Sequence, residues 1–229
     1  MSEIVAAGPS PATVLAVSGA SRLWSRDLAE IVAGFLLIIG VIWTPDPWQR
    51  VLFAIASISI IGFTLTARRL GRTLGFGLTG LGQSLWTVAA ALLLGGLLIA
   101  TAVKLRTFHP LHGHLPLWAH ITGYTLWAFE QQFILQSYFL ARLLRVVPRR
   151  STAILLAAML FSIAHLPNVV LTAVTLLWGA IACVLFLRYR NLYSIAMAHG
   201  ILGLCLAVTV PNATIHHMMV GLGYLRYHP

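Results

Sequence analysis

The stretch Val169–Leu187, VVLTAVTLLWGAIACVLFL, contains no charged side chain and is followed at once by Arg188 and Arg190. A helix needs about 20 mostly apolar residues to cross a hydrocarbon core of about 30 Å. This stretch meets that requirement, and basic residues at its end are typical of a span that stops at the cytoplasmic surface. We therefore expect a transmembrane helix here, and similar segments occur on both sides of it.

The composition of the whole chain also indicates a membrane protein. Of its 229 residues, 59% are apolar and 9% are charged, whereas soluble domains carry about 25% charged residues. These values argue against a soluble enzyme and against a disordered chain. The net charge of +10 does not indicate nucleic-acid binding, because the basic residues stand at the ends of apolar runs and not on one solvated face. Cys183 and Cys205 lie in apolar segments and make no disulfide framework.

Apolar segments follow one another along the chain, and we predict an all-α polytopic membrane helix bundle of about eight transmembrane helices. The candidate spans are Leu28–Trp43, Trp48–Ala67, Leu81–Val103, Leu117–Ala141, Ser151–Leu166, Val169–Leu187, Leu192–Val210 and a weaker segment after Pro211 as far as Leu225. Residues 1–27 are predicted to form a flexible cytoplasmic N-terminal arm. Residues 28–229 are predicted to form a single transmembrane domain.

The basic residues predict the orientation of these spans. With the N-terminus in the cytoplasm, twelve arginines fall on the cytoplasmic side, whereas Arg50, Lys104 and Arg106 fall outside. The twelve are Arg22, Arg26, Arg68, Arg69, Arg72, Arg142, Arg145, Arg149, Arg150, Arg188, Arg190 and Arg226. Because cytoplasmic loops carry an excess of basic residues, we predict a multi-pass protein with both termini cytoplasmic, located in a bacterial inner membrane.

One carboxylate stands in the middle of a predicted span. Glu130 lies within LWAFEQQFIL and is the single acidic residue after Asp46. A charge at that depth costs at least about 2.5–3.5 kcal/mol, so such residues face a bundle interior or a water cavity and are functional by default. The alternative is a protonated Glu130 that only hydrogen-bonds to a neighbouring helix.

Two histidines occur at comparable depth in other predicted spans. His165 ends the fifth span, and His199 lies within the seventh. Each alone is more often a packing residue, but together with Glu130 they make a set that can hydrolyse an amide. A carboxylate and an imidazole can deprotonate a water molecule, and a second imidazole can donate a hydrogen bond to the oxyanion that forms.

The segment around these residues resembles the CPBP family, which comprises CAAX prenyl proteases and bacteriocin-processing enzymes and consists of glutamate-dependent intramembrane proteases. The resemblance is carried by FSIAHLPN at 161–168 and by LRYRNLYSIAMAHG at 187–200. The family motifs are EExxxR, FxxxH and HxxxN, in this order. Phe161 and His165 meet the second motif, Glu130 begins the first, and His199 begins the third. The resemblance places the family-like core at 117–210.

The first and third motifs are degenerate. Gln131 stands at the second Glu, Leu135 at the Arg, and Gly203 at the Asn. Gln131 keeps hydrogen-bonding capacity without charge, and Gln132 and Gln136 predict a polar network rebuilt from neutral amides. The missing side chain at Gly203 would weaken an oxyanion site by roughly 3 kcal/mol unless another donor substitutes, and Asn168 or a backbone N–H is a candidate.

The resemblance implies an intramembrane endopeptidase that acts on a membrane-embedded or membrane-anchored protein or peptide. It assigns Glu130 and His165 to water activation and His199 to the oxyanion site, with Gln131, Phe161 and Asn168 in support. No cofactor is required, although Glu130, His165 and His199 would also suit a divalent metal such as zinc. Partners are the substrate and the lipid bilayer, with no nucleic acid.

Two other interpretations of the function remain open at this stage. A catalytically inactive scaffold or interaction protein is favoured by the motif departures. A proton-coupled carrier would use Glu130 as a relay, but the sequence shows no paired acidic and basic residues within the spans.

A separate cluster of histidines lies in the predicted outer loop and consists of His109, His112, His114 and His120. These residues could bind Zn²⁺ or Cu²⁺, but neither cysteine nor carboxylate accompanies them.

Overall fold

A computed structural model describes residues 11–68, 74–111 and 116–227, with backbone only for 11–22, 67 and 68. Within these ranges all regular secondary structure is helical, without strands. The helices are α1 (Pro11–Trp43), α2 (Trp48–Arg68), α3 (Leu81–Leu105), α4 (Leu117–Phe133), α5 (Ala141–Val146), α6 (Arg150–Ile163), α7 (Val169–Tyr189), α8 (Leu192–Thr209), α9 (Asn212–Ile215) and α10 (Gly221–Leu225). A π-helical segment, Ile134–Leu140, joins α4 to α5, so one helical rod runs from 117 to 146.

The prediction of an all-α membrane bundle is confirmed. Four described helices are long and apolar enough to cross a membrane, namely Trp48–Thr66, Leu81–Leu105, Val169–Tyr189 and Leu192–Thr209. The helices expose large apolar side chains such as Ile58, Leu93 and Leu177. An exposed apolar surface of this extent is expected where the surrounding solvent is lipid. The total number of spans and the orientation of the termini stay predictions.

The two ends of the chain differ from the sequence prediction. Helix α1 already begins at Pro11, within the predicted arm, and residues 1–10 lie outside the described part. The predicted eighth span is not formed, because α9 and α10 have only 4 and 5 residues. His216, His217 and Met218 between them have positive φ angles, which interrupt a helix.

The C-terminal segment packs at the end of the bundle that carries the α1–α2 turn. The Gly221 N–H donates to the Leu166 carbonyl at 2.8 Å. A side chain at Gly221 would collide with Ile42 of α1, and its φ of 54° also favours glycine. This segment therefore lies near Trp43 and Asp46, whereas both termini were predicted at the opposite, cytoplasmic end.

Buried ion pairs fasten α1 to α5 at the other end of the bundle. Arg142 is fully buried, and its Nη2 and Nε atoms lie 2.6 and 2.7 Å from Glu30 Oε2. Arg145 pairs with Asp27 one turn away, and Arg26 pairs with Glu30 within α1. The sequence predicts no acid–base pairs within the spans, and Glu30–Arg142 shows that this is wrong, because the two partners come from helices far apart in the chain.

Helices α3 and α4 pack against α8, and small residues permit close approach. Gly179 and Gly200 lie at two such helix contacts. A Cβ at Gly179 would lie 3.3 Å from the Ala158 Cα of α6, and one at Gly200 would lie 3.5 Å from Thr125 of α4. Small residues at helix interfaces are typical of membrane bundles. Helix α8 thereby brings His199 against α4.

Candidate active site

A cavity of about 540 Å³ lies inside the bundle. Apolar side chains from α1, α2, α3, α4, α6, α7 and α8 form most of its wall. Apart from the two tryptophans, Trp127 and Trp178, the polar or ionisable side chains on the wall are Ser57, Tyr124, Glu130, Gln131, His165, Thr175 and His199. The three residues predicted to be catalytic therefore line one cavity, and its volume is in the range of ligand pockets, about 300–1,000 Å³.

Glu130 projects from α4 and is half-buried. Its Oε1 atom accepts a hydrogen bond from the Ser57 hydroxyl of α2 at 3.4 Å. No basic side chain pairs with Glu130 among the described residues. The carboxylate is therefore held by a neutral donor at the cavity wall, where it can exchange a proton with a bound water molecule. Sequence reasoning missed Ser57, because one serine in an apolar span carries no signal of its own.

His165 lies in the turn that follows α6. Its Nδ1 atom is 2.7 Å from the carbonyl oxygen of Phe161, at the end of α6. A carbonyl oxygen can only accept a hydrogen bond, so Nδ1 carries the proton of the neutral ring. The other nitrogen, Nε2, then has a free lone pair. The local turn thus prepares His165 as a proton acceptor.

His199 has the opposite arrangement. Its Nδ1 atom is 3.1 Å from the amide Nε2 of Gln132, which donates, and the Gln132 Oε1 in turn accepts from Gln136 Nε2 at 3.1 Å. Both glutamines are fully buried. With the Gln132 amide as donor, Nδ1 accepts and the proton of the neutral ring is on Nε2, which makes His199 a hydrogen-bond donor. The backbone of Ala128 is a further hydrogen-bond partner of the ring. The amide network predicted from Gln132 and Gln136 is present.

Aromatic rings hold both imidazoles in place. The Phe161 ring meets His165 edge-on with ring centroids 4.9 Å apart, and it meets His199 edge-on at 6.0 Å. The ring of Trp178, which belongs to α7, lies 5.9 Å from the His199 ring, measured between ring centroids. Phe161, the first residue of the second motif, therefore packs between the two histidines. It fixes their positions without taking part in proton transfer.

At the positions that depart from the family motifs, neighbouring side chains occupy the available space or the residue itself packs in the bundle. Leu135 is buried in the apolar core, and Gln131 lines the cavity beside Glu130. A Cβ at Gly203 would lie 2.6 Å from the Tyr124 Cε1 and Cζ atoms and still closer to the hydroxyl oxygen. The phenol of Tyr124 thus occupies the space that a side chain at position 203 would need.

Asn168 has a different place from the one predicted. Its Oδ1 atom accepts from the Leu171 N–H and caps α7. Its Nδ2 atom donates to the carbonyls of Ile215 and Met219, at 2.8 and 3.2 Å. Both amide hydrogens are therefore used, and Asn168 is not on the cavity wall. Its observed role is to tie the C-terminal segment to the start of α7.

The structure gives no support for a metal site at the predicted positions. Among the described residues, which include Glu130, His165 and His199, no group of three or more His, Cys, Asp or Glu side chains is arranged to hold a metal ion. The His109 Nε2 atom lies 2.9 Å from the Val210 carbonyl oxygen. His112 and His114 lie outside the described residues, so the outer histidine cluster stays a prediction.

Comparison with known families gives a match over the segment that holds these residues. Residues 113–205 match the family model described as "Type II CAAX prenyl endopeptidase Rce1-like". This segment is Rce1-like. The resemblance noted in the sequence is thereby confirmed, and the Rce1-like segment contains Glu130, His165 and His199. No curated protein and no solved structure matches the chain. Ser57 and helices α1–α3 lie outside the Rce1-like segment.

Proposed function

We propose that this integral membrane protein is an endopeptidase that hydrolyses a peptide bond of a membrane-associated protein or peptide. In the proposal, Glu130 and His165 activate a water molecule and His199 stabilises the oxyanion. The observation that carries it is the pair of imidazoles on one cavity, whose different hydrogen-bond partners favour opposite tautomers. One ring offers a lone pair and the other offers an N–H, which are the two functions that amide hydrolysis needs.

The reaction follows from these assignments. Water bound between Glu130 and His165 donates one hydrogen bond to the free lone pair of His165 Nε2 and loses its other proton to the Glu130 carboxylate. Its oxygen forms a bond to the carbonyl carbon of the scissile peptide. The carbonyl oxygen becomes an oxyanion and accepts a hydrogen bond from the Nε2–H group of His199. When the C–N bond breaks, the leaving nitrogen takes the proton from Glu130. Two products are released, a carboxylic acid and an amine, and neither a covalent intermediate nor a redox step is involved.

The wall of the cavity supports a membrane-associated substrate. Phe35, Phe53, Leu94 and Trp127 are among the apolar side chains that surround the polar groups. Apolar walls with a few convergent polar groups are typical of sites that bury a mostly apolar ligand. The substrate is therefore proposed to be a membrane-embedded or lipid-anchored segment, cleaved where its peptide bond reaches Glu130. A bacterial inner membrane stays the predicted location.

The decisive test compares the wild-type protein with Glu130→Gln in lipid vesicles. Membrane-anchored peptides, prenylated or transmembrane, are supplied, and the cleavage products are identified by mass spectrometry. We expect a loss of about 100-fold or more in Glu130→Gln, because a general base contributes about 10²–10⁴-fold. Asp46→Asn is the matched control, since Asp46 is exposed and paired only with Arg50. Equal cleavage by wild type and Glu130→Gln contradicts the proposal and favours the inactive scaffold.

A further inference from the structure

One side chain on the cavity has no role in the scheme above. Tyr124 projects from α4 and lines the same cavity as His199. Its hydroxyl makes no hydrogen bond to any residue that the structure describes. The hydroxyl oxygen is also not one of the fully enclosed polar atoms that lack a partner. The hydroxyl of a buried tyrosine usually finds a partner. This one is therefore available to a molecule that enters the cavity.

The packing of α4 against α8 determines where this hydroxyl lies. Gly203 is one turn after His199 on α8, so the two positions share a face of the helix and are about 6 Å apart along its axis. A Cβ at Gly203 would meet the end of the Tyr124 phenol. The Tyr124 hydroxyl therefore stands on the same face of α8 as the His199 imidazole, one turn away.

Other hydrogen-bond donors near His199 are already bonded to an acceptor or are enclosed. Both amide hydrogens of Asn168 are bonded to carbonyls, and Gln132 is bonded to His199 itself. The Trp178 Nε1 atom is enclosed by neighbouring atoms and has no hydrogen-bond partner, although the residue is on the cavity wall. Among the side chains discussed, Tyr124 is the one that lies beside Gly203 with its donor unoccupied.

We propose that the Tyr124 hydroxyl is a second oxyanion donor, which acts together with the His199 Nε2–H. The hydroxyl donates from α4 the hydrogen bond that Gly203 of α8 cannot donate, because glycine has no side chain. The inference rests on the proposed hydrolysis, because an oxyanion arises only if water attacks the peptide carbonyl. A pair of preorganised donors on one oxyanion is the usual arrangement in acyl transfer.

The first experiment measures cleavage by Tyr124→Phe in the full chain. The phenyl ring keeps the packing against Gly203 and removes only the hydroxyl. We expect kcat to fall about 100-fold with little change in KM, since loss of one oxyanion donor costs about 10²–10³ in kcat. Tyr193→Phe is the matched control, because the Tyr193 hydroxyl bonds to the Phe76 carbonyl at the exposed surface.

The second experiment moves the donor to the other helix. Tyr124→Ala vacates the space next to Gly203, and Tyr124→Ala with Gly203→Asn places an amide donor there from α8. We expect the double variant to regain at least about tenfold in kcat over Tyr124→Ala, within the range that one donor contributes. A purely structural tyrosine would give no such rescue, and thermal unfolding in detergent checks that each variant is folded.

The outcomes separate the two proposals. If the wild type cleaves and Tyr124→Phe matches Tyr193→Phe, the inference about Tyr124 is overturned and the proposed function stands. If Tyr124→Phe loses activity and the double variant is not rescued, the hydroxyl is structural and the inference is again overturned. If wild type and Glu130→Gln are equally inactive, the proposed function fails and the inference fails with it.

Discussion

At the scale of single residues, the catalytic candidates were predictable and their partners were not. Glu130 is conspicuous in sequence because a carboxylate is costly inside an apolar span, and His165 follows a phenylalanine at motif spacing. Ser57 and Tyr124 have ordinary side chains in apolar helices. Their contacts with Glu130 and Gly203 arise from the way in which α2 and α8 meet α4, and a single sequence does not reveal how these helices are placed against each other.

The tautomer of His199 leads to a prediction for Gln132. Gln132→Leu removes the donor to Nδ1, so the ring proton is no longer held on Nε2. We expect kcat to fall about tenfold, the lower range for loss of an orienting partner. Nitrogen-15 NMR of histidine-labelled protein in detergent should show His199 with its proton on Nε2 in the wild type and a mixture in the variant.

Two controls accompany this measurement. Gln49→Leu makes the same chemical change where the Gln49 amide only donates to the Val41 carbonyl, away from the imidazoles. The His165 signal should stay in the Nδ1–H form in every variant, because its partner is the Phe161 carbonyl. A His199 proton on Nδ1 in the wild type would contradict the role of this residue as a donor through Nε2.

At the scale of helices, the predicted boundaries are best where polar residues interrupt the apolar sequence. Helix α7 was predicted as Val169–Leu187 and runs to Tyr189, and α8 was predicted as Leu192–Val210 and ends at Thr209. Asn168 and Asn191 cap these two helices with their side chains. By contrast, the start of α1 and the break after α9 depend on packing that apolar periodicity does not reveal.

The pairing of α1 with α5 leads to a prediction about stability. Arg142→Met leaves Glu30 buried with only Arg26 as a partner, and breaking a buried pair costs about 3–5 kcal/mol of unfolding free energy. We expect a value near the lower limit, because Arg26 remains. Unfolding in mixed micelles measures it.

The matched variants define how the buried pair contributes. Glu30→Gln with Arg142→Met should recover most of the loss, because no uncompensated charge remains. Arg50→Met breaks the exposed Asp46–Arg50 pair, and it should cost about 0–1 kcal/mol. A loss in Arg142→Met no larger than that in Arg50→Met would show that the buried pair does not fasten α1 to α5.

At the scale of the whole molecule, the fold changes the expected topology. The C-terminal segment packs beside Ile42 and Leu166, so Arg226 is expected on the same side of the membrane as Asp46. Arg226 would lie with the cytoplasmic arginines only if a span followed Pro211, and that span is not formed. The remaining basic residues still favour a cytoplasmic N-terminal side.

Cysteine labelling tests this arrangement. In a background with Cys183→Ala and Cys205→Ala, single cysteines replace Asp46, Arg149 or Arg226, all at exposed positions. An impermeant maleimide applied to intact cells should label the Asp46 and Arg226 positions alike and leave Arg149 unlabelled until the membrane is opened. Labelling of Arg226 together with Arg149 would mean that the C-terminus crosses to the other side.

The hydrogen bond from Ser57 to Glu130 joins two parts of the chain with different relationships to other proteins. Glu130 belongs to the Rce1-like segment 113–205, whereas Ser57 belongs to a helix outside that segment. Glu130, His165 and His199 thus lie within the Rce1-like segment, while Phe35, Phe53 and Leu94 complete the wall of the cavity from elsewhere in the chain. A protein that keeps the Rce1-like segment can therefore change what enters the cavity by exchanging the surrounding helices alone.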